Sequence, residues 1–217
     1  MLHQRLNLID LNNTAVHHLE DGDFNAANRL LTTVVVNLLK ITENKAEPVS
    51  SLQFSWSGDA PIPSRPNDDE AIGAFVYARG MLVTGSRGSL EEAKAVISYN
   101  AALAAHLLGL ETSESFLLTR AHYLYKLSRA FIRKQQAKGS KMSKLLHTHF
   151  FHMAILNNLG QISIELVDYE SSKSCFEMLL RNLKHIMSKT KTVYGQEDLQ
   201  GMLSNSIVIL PTTAPAA

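Results

Sequence analysis

Leu11-Asn-Asn-Thr-Ala15-Val-His-His-Leu-Glu-Asp-Gly22-Asp-Phe24-Asn-Ala-Ala27-Asn-Arg-Leu-Leu31 aligns without a gap on Leu156-Asn-Asn-Leu-Gly160-Gln-Ile-Ser-Ile-Glu-Leu-Val167-Asp-Tyr169-Glu-Ser-Ser172-Lys-Ser-Cys-Phe176. Both stretches place apolar residues three and four apart, the period of an amphipathic helix, on either side of an acid-containing break. Each therefore reads as two helices joined by a tight turn. Both also put a small residue in the first helix, an Asp-aromatic pair at the turn, and a small then a large apolar residue, four apart, in the second. Small residues let two helices approach and the large ones fill the space beside them, so the shared spacing has a packing cause.

Working outward, a third unit is similar but stretched. Tyr99-Asn100-Ala-Ala102 stands for its first helix and Ala121-His-Tyr-Leu-Tyr125 for its second, with Ala121 nineteen positions after Ala102 where the other units have a separation of twelve. A longer turn is expected there. The six prolines lie at 48, 61, 63, 66, 211 and 215, which leaves 1–47 and 67–210 free of the residue most damaging to helices. Ser89-Leu-Glu-Glu92 reads as a capping box opening a helix to about Leu108, ended by Gly109. Further helices are expected over about 113–137 and 143–166, from Asp168 to Lys189, and briefly over 196–203. Residues 43–70, rich in Pro, Ser, Asn and Asp, read as a long, mobile loop. The β-branched and aromatic run from Ala74 to Thr84 predicts a strand. Its expected partner is Ser206-Ile-Val-Ile-Leu210, giving a two-stranded β-ribbon that joins 75–83 to 206–210. The fold class is all-α, one domain over 1–217, with that small ribbon as a staple.

Composition narrows the function. The 217 residues are 45% hydrophobic with 21 basic and 20 acidic side chains, enough for a sizeable core and too balanced to steer the chain to nucleic acid or an anionic membrane. A single cysteine, Cys175, fits a reducing cytoplasm or nucleus. No uninterrupted apolar run is as long as a membrane span, and the first residues lack the pattern of a targeting segment.

The quoted residues resemble the tetratricopeptide repeat (TPR), whose helix-turn-helix unit carries small residues where this chain has Ala15 and Ala27, or Gly160 and Ser172. Its aromatic or large apolar positions match Phe24 and Leu31, or Tyr169 and Phe176. More narrowly, the Asn-Asn-Leu-Gly unit with its loop and strand is similar to divergent TPR-like proteins of some algal lineages. The resemblance implies that the first helix of each unit lines a concave groove. It also implies that the position held here by Asn13, Asn100 and Asn158 faces a bound peptide, with Asn12, Tyr99 and Asn157 beside it and Val16, Leu103 and Gln161 a turn on. An amide offers an acceptor and two donors, so such a row can hold a peptide backbone whatever its side chains. The other reading of the asparagines is pairing with helix backbone inside the core. No lysine or arginine stands among them, which disfavours a receptor for terminal carboxylates.

Other candidates for chemistry are weaker. His149 and His152 share a helix face, unlike His147, but two imidazoles without a neighbouring carboxylate or thiolate make a poor metal site. Thr84-Gly-Ser-Arg-Gly-Ser89 lacks the Gly-Lys-Ser/Thr of a nucleotide loop, and Glu91 and Glu92 would repel an anion there. Cys175 reads as a buried, inert thiol. The run Arg129, Arg133, Lys134, Lys138, Lys141 and Lys144 complements a helix C-terminus rather than forming a phosphate patch. Trp56 either docks on the helices, the preferred reading, or anchors a partner. The expectation is thus a non-enzymatic scaffold or adaptor that binds a protein or peptide in its groove, with no cofactor and no metal. The alternatives are a metal- or small-ligand-binding enzyme or sensor using the His149/His152 face, and a structural subunit of a larger complex.

Overall fold

The computed structural model describes residues 2–40, 53–60, 75–84, 90–137, 146–189 and 196–209. Among them are seven helices and one two-stranded sheet. The helices are α1 (Leu2–Glu20), α2 (Phe24–Lys40), α3 (Leu90–Thr112), α4 (Ser115–Ala137), α5 (Leu146–Glu165), α6 (Tyr169–Lys189) and α7 (Gln196–Ile209), and the strands are β1 (Gln53–Asp59) and β2 (Arg79–Thr84). The helices pair in order as three antiparallel hairpins, α1–α2, α3–α4 and α5–α6, with α7 packed on α5 and α6.

The two matching stretches adopt the same turn. In the first, the Gly22 amide donates to Leu19 and the Asp23 amide to His18; in the second, Val167 donates to Ile164 and Asp168 to Ser163. Asp23 and Asp168 then accept the Ala26 and Ser171 amides at 2.9 and 3.1 Å, capping α2 and α6 alike. The turn needs one left-handed residue. Gly22 takes it freely at φ 78°, whereas Val167 takes it at φ 60°, a conformation that costs a β-branched residue about 1–2 kcal/mol.

Where the small residue is glycine, the partner is larger. A Cβ on Gly160 would lie 2.5 Å from the Phe176 ring, so the aromatic of α6 occupies the space that the Ala15 methyl takes in the first hairpin. The stretched middle unit keeps a short turn, contrary to expectation. Its left-handed residue is Ser113, at φ 59°, and the seven additional residues are divided as four before it and three after it. Each helix is one turn longer. Gly109 accordingly does not end α3; it lies inside the helix, where a Cβ would come within 2.9 Å of the Leu118 side chain. α3 is long and apolar enough by composition to cross a membrane, and nearly all of it is buried in this core.

The strand read at 74–84 is present, as β2 preceded by extended residues 75–78, but its partner is not 206–210. β2 pairs antiparallel with β1, Phe54 opposite Val83 and Trp56 opposite Met81. Residues 206–209 belong to α7, because Met202, Asn205 and Ser206 are buried while Ile207 is 57% exposed. That spacing satisfies a helix, and the burial of one face overrides the β preference of Ile-Val-Ile. β1 lies within the stretch read as loop, where Phe54 and Trp56 alternate with serines; 43–52 and 61–70 lie outside the described residues. Trp56 is docked, edge-on to Tyr77, Tyr99, Phe150 and Phe151 with centroids 5.0–6.1 Å away.

Candidate functional site

The N–H and C=O of one strand residue point to the same edge, and those of the next residue to the other. Along residues 75–84 the even-numbered backbone groups face β1: the Ala60 amide donates to Ala78 O at 3.1 Å, and the Gly80 amide to Ser57 Oγ at 3.0 Å. The odd-numbered groups face a row of asparagine side chains on α7, α5, α3 and α1.

Each of those amides takes one residue by both of its backbone groups. Asn205 Oδ1 accepts the Phe75 N–H and its Nδ2 donates to Phe75 O, at 3.1 and 2.7 Å. Asn158 does the same for Tyr77 at 2.9 and 3.0 Å, Asn100 for Met81 at 2.9 and 2.8 Å, and Asn13 for Val83 at 2.9 Å for both bonds. At the remaining odd position the Tyr99 hydroxyl donates to Arg79 O at 3.0 Å. The side chains of four helices thus act as the missing neighbouring strand. β2 has no free edge where it is held.

A second set of amides ties the row together, and it is duplicated. Asn12 donates to Met81 O and Asn13 Oδ1 and accepts from Asn100 Nδ2 at 2.8 Å. Asn157 donates to Phe75 O and Asn158 Oδ1 and accepts from Asn205 Nδ2 at 2.7 Å. Two identical triads result, Asn12–Asn13–Asn100 and Asn157–Asn158–Asn205. Asn158 also donates to the Tyr125 hydroxyl at 3.1 Å. Burial raises the Tyr125, Tyr99 and Tyr77 hydroxyls well above their ordinary pKa, so they stay protonated and neutral.

Six of the seven residues singled out from sequence therefore meet on one extended segment: Asn12, Asn13, Tyr99, Asn100, Asn157 and Asn158. Gln161 is buried a turn beyond Asn158 and makes no bond to it. The segment they hold belongs to the same chain. Neither earlier reading of the asparagines named that arrangement, and Asn205 was missed. Its signal was Leu203-Ser-Asn205, which repeats the Leu-x-Asn of Leu11-Asn-Asn13 and Leu156-Asn-Asn158.

Side chains supply selectivity that the backbone pairing lacks. Tyr77 packs on Trp56 and Phe150. Arg79 makes two bonds to Asp59, at 2.7 and 3.2 Å, and lies 3.4 Å from Asp198 of α7. Gly80 runs under Val16, where a Cβ would meet Cγ1 at 3.0 Å.

Elsewhere, Lys134 pairs with buried Glu91 at 3.1 Å, while Lys138, Lys141, Lys144, Ser89 and the His147 side chain lie outside the described residues. Burial pushes the Cys175 thiol up, as suits an inert cysteine. His149 is exposed and His152 largely buried. Among the described residues no three His, Cys, Asp or Glu side chains converge as metal ligands. No family model, no curated protein and no solved structure matches this chain.

Proposed function

We propose that the chain is a non-enzymatic protein-interaction module, a scaffold or adaptor of TPR-like hairpins whose inner helices hold an extended peptide by its backbone. The supporting observation is the pairing of Asn13, Asn100, Asn158 and Asn205 with both backbone groups of Val83, Met81, Tyr77 and Phe75. Two-point amide pairing to alternate residues is chemistry for any extended chain. Residues 75–84 stand where a partner peptide would lie, and a partner enters by replacing them. The TPR likeness accords with the identical turns of the first and third hairpins, and a lone buried thiol with a reducing cytoplasm or nucleus.

A strand-replacement experiment tests this. In Gly80→Val the added side chain meets Val16 and loosens the internal segment without touching the asparagines. A synthetic peptide with the natural 75–84 sequence should then raise the variant's Tm in proportion to the logarithm of its concentration. The same peptide carrying Val at the Gly80 position should not. If neither peptide stabilises a variant that circular dichroism shows to be folded, the groove is internal packing and the reading fails. Gly80→Ala is the milder substitute if Gly80→Val does not fold.

A further inference from the structure

His122, Lys126, Arg129 and Arg133 follow one another along α4 in steps of four, three and four residues, so they share one face. That face is turned to α6: Arg129 Nη2 lies 2.8 Å from the Met178 thioether, and the charges of Arg129 and Lys126 act on Cys175. Among the described residues no carboxylate pairs with Arg129. Its Nε is buried without a hydrogen-bond partner, and desolvation pulls the guanidinium below its usual pKa. A guanidinium half out of water and facing a thioether is an uncompensated charge, a costly arrangement unless something accepts its protons.

α5 adds a second orphan. His152 Nε2 is buried and unpartnered. Burial, with Arg129, Arg133 and His149 nearby, pushes its pKa down to about 4, so the ring is neutral and, with its proton on Nε2, a donor. Asp168, at the start of α6, accepts the Ser171 amide and offsets part of the charge at the His122 and Lys126 end of the face, whereas the charges acting on His152 are those of Arg129, Arg133 and His149. The seam therefore holds donors in excess and two arginines beside the imidazole, the wrong sign for a metal cation and the right one for an anion. The face that suggested metal binding from sequence changes its meaning once its neighbours are known.

We propose that the seam between α4, α5 and α6 binds a phosphate-type oxyanion, held by Arg129 and His152 with Lys126 and Arg133 at its rim. Planar guanidinium and imidazole donors suit phosphoryl oxygens, which accept several bonds at once. The phosphoryl group comes either as free phosphate or on a serine of another protein. This site is separate from the asparagine row and does not depend on it.

The test is a titration of the full chain, observed through the His ring resonances by NMR, with inorganic phosphate in one arm and a phosphoserine tripeptide in the other. Saturable movement of the His152 signals is expected, with its titration midpoint rising from about 4 as the anion favours the imidazolium over the opposing charges of Arg129, Arg133 and His149. Tighter binding of the tripeptide identifies a phosphorylated protein as the source, and equal binding identifies free phosphate. Arg129→Met should weaken either by about tenfold or more. Arg133→Gln, at an exposed position where folding is not at risk, should weaken it by about threefold. Absence of saturable binding in both arms, or binding unchanged in both variants, overturns the proposal.

Discussion

The two asparagine triads make the same bonds in different surroundings. Asn12–Asn13–Asn100 holds Met81 and Val83 from α1 and α3, next to the core of the longest hairpin. Asn157–Asn158–Asn205 holds Phe75 and Tyr77 from α5 and α7, and among the described helices α7 packs chiefly on α6 and α5. Asn100 and Asn205 are counterparts: each accepts one strand amide, donates to the carbonyl of the same residue and donates to the leading asparagine of the neighbouring helix. Any difference in what they contribute therefore measures burial and location, since the chemistry is equal. The comparison also shows how a set of helical hairpins can bury a strand: the helices supply amide side chains that imitate a strand edge.

The largest effect is expected at Asn100. Asn100→Ala removes the acceptor of the Met81 N–H and the donor to Asn12 Oδ1, while Met81 O keeps Asn12 Nδ2 at 3.3 Å. Two orphaned groups in a site with no exposure, at 1–3 kcal/mol each, amount to about 4 kcal/mol. For a chain of this size that lowers Tm by roughly 10 °C. A loss under about 1 kcal/mol in denaturant melts would mean that water or a rearranged Asn12 satisfies the strand, and that the triads are not rigid.

Much of this site was legible because it follows from helix register. Asn13 and Asn158 lie nine residues before the left-handed residues Gly22 and Val167, and Asn100 lies thirteen before Ser113, one helical turn further. A fixed offset from a turn puts a side chain at a fixed height on a fixed face. The occupant was not legible, because alternation from Phe75 to Thr84 announces a strand without saying what covers its edges. Pairing it with 206–210 used β preference alone, which the burial of Met202 and Ser206 on one helical face defeats. Phe54 and Trp56 carried the alternation that marked the true partner, hidden among serines and near prolines. Asn205 escaped because self-alignment depends on paired helices, and no second helix follows α7 among the described residues.

A smaller effect tests whether the hairpins beneath the triads are copies in packing as well as in sequence. Gly160→Ala should cost about 3 kcal/mol, since the methyl meets the Phe176 ring at 2.5 Å. Phe176→Leu alone should cost about 1–2 kcal/mol by leaving a void. The double variant installs the Ala15/Leu31 pair of the first hairpin and should be more stable than Gly160→Ala alone, a coupling visible in a double-mutant cycle. Additive losses would show that the two hairpins reach their shared turn by different packing.

The smallest effect is expected at Asn205. Asn205→Ala orphans the Phe75 N–H and Asn157 Oδ1, the counterparts of what Asn100→Ala orphans. Phe75 is itself only partly buried, however, and α7 can separate from the rest without disturbing α1 to α4. Water then reaches the freed groups, and the loss falls to about 2 kcal/mol or less. The distinguishing measurement is amide hydrogen exchange. In Asn205→Ala, exchange should quicken at Phe75 and Tyr77 and in α7 while Met81 and Val83 stay protected, whereas Asn100→Ala should speed all four strand amides together. Equal quickening along the whole strand in both variants would mean that the two triads open as one unit.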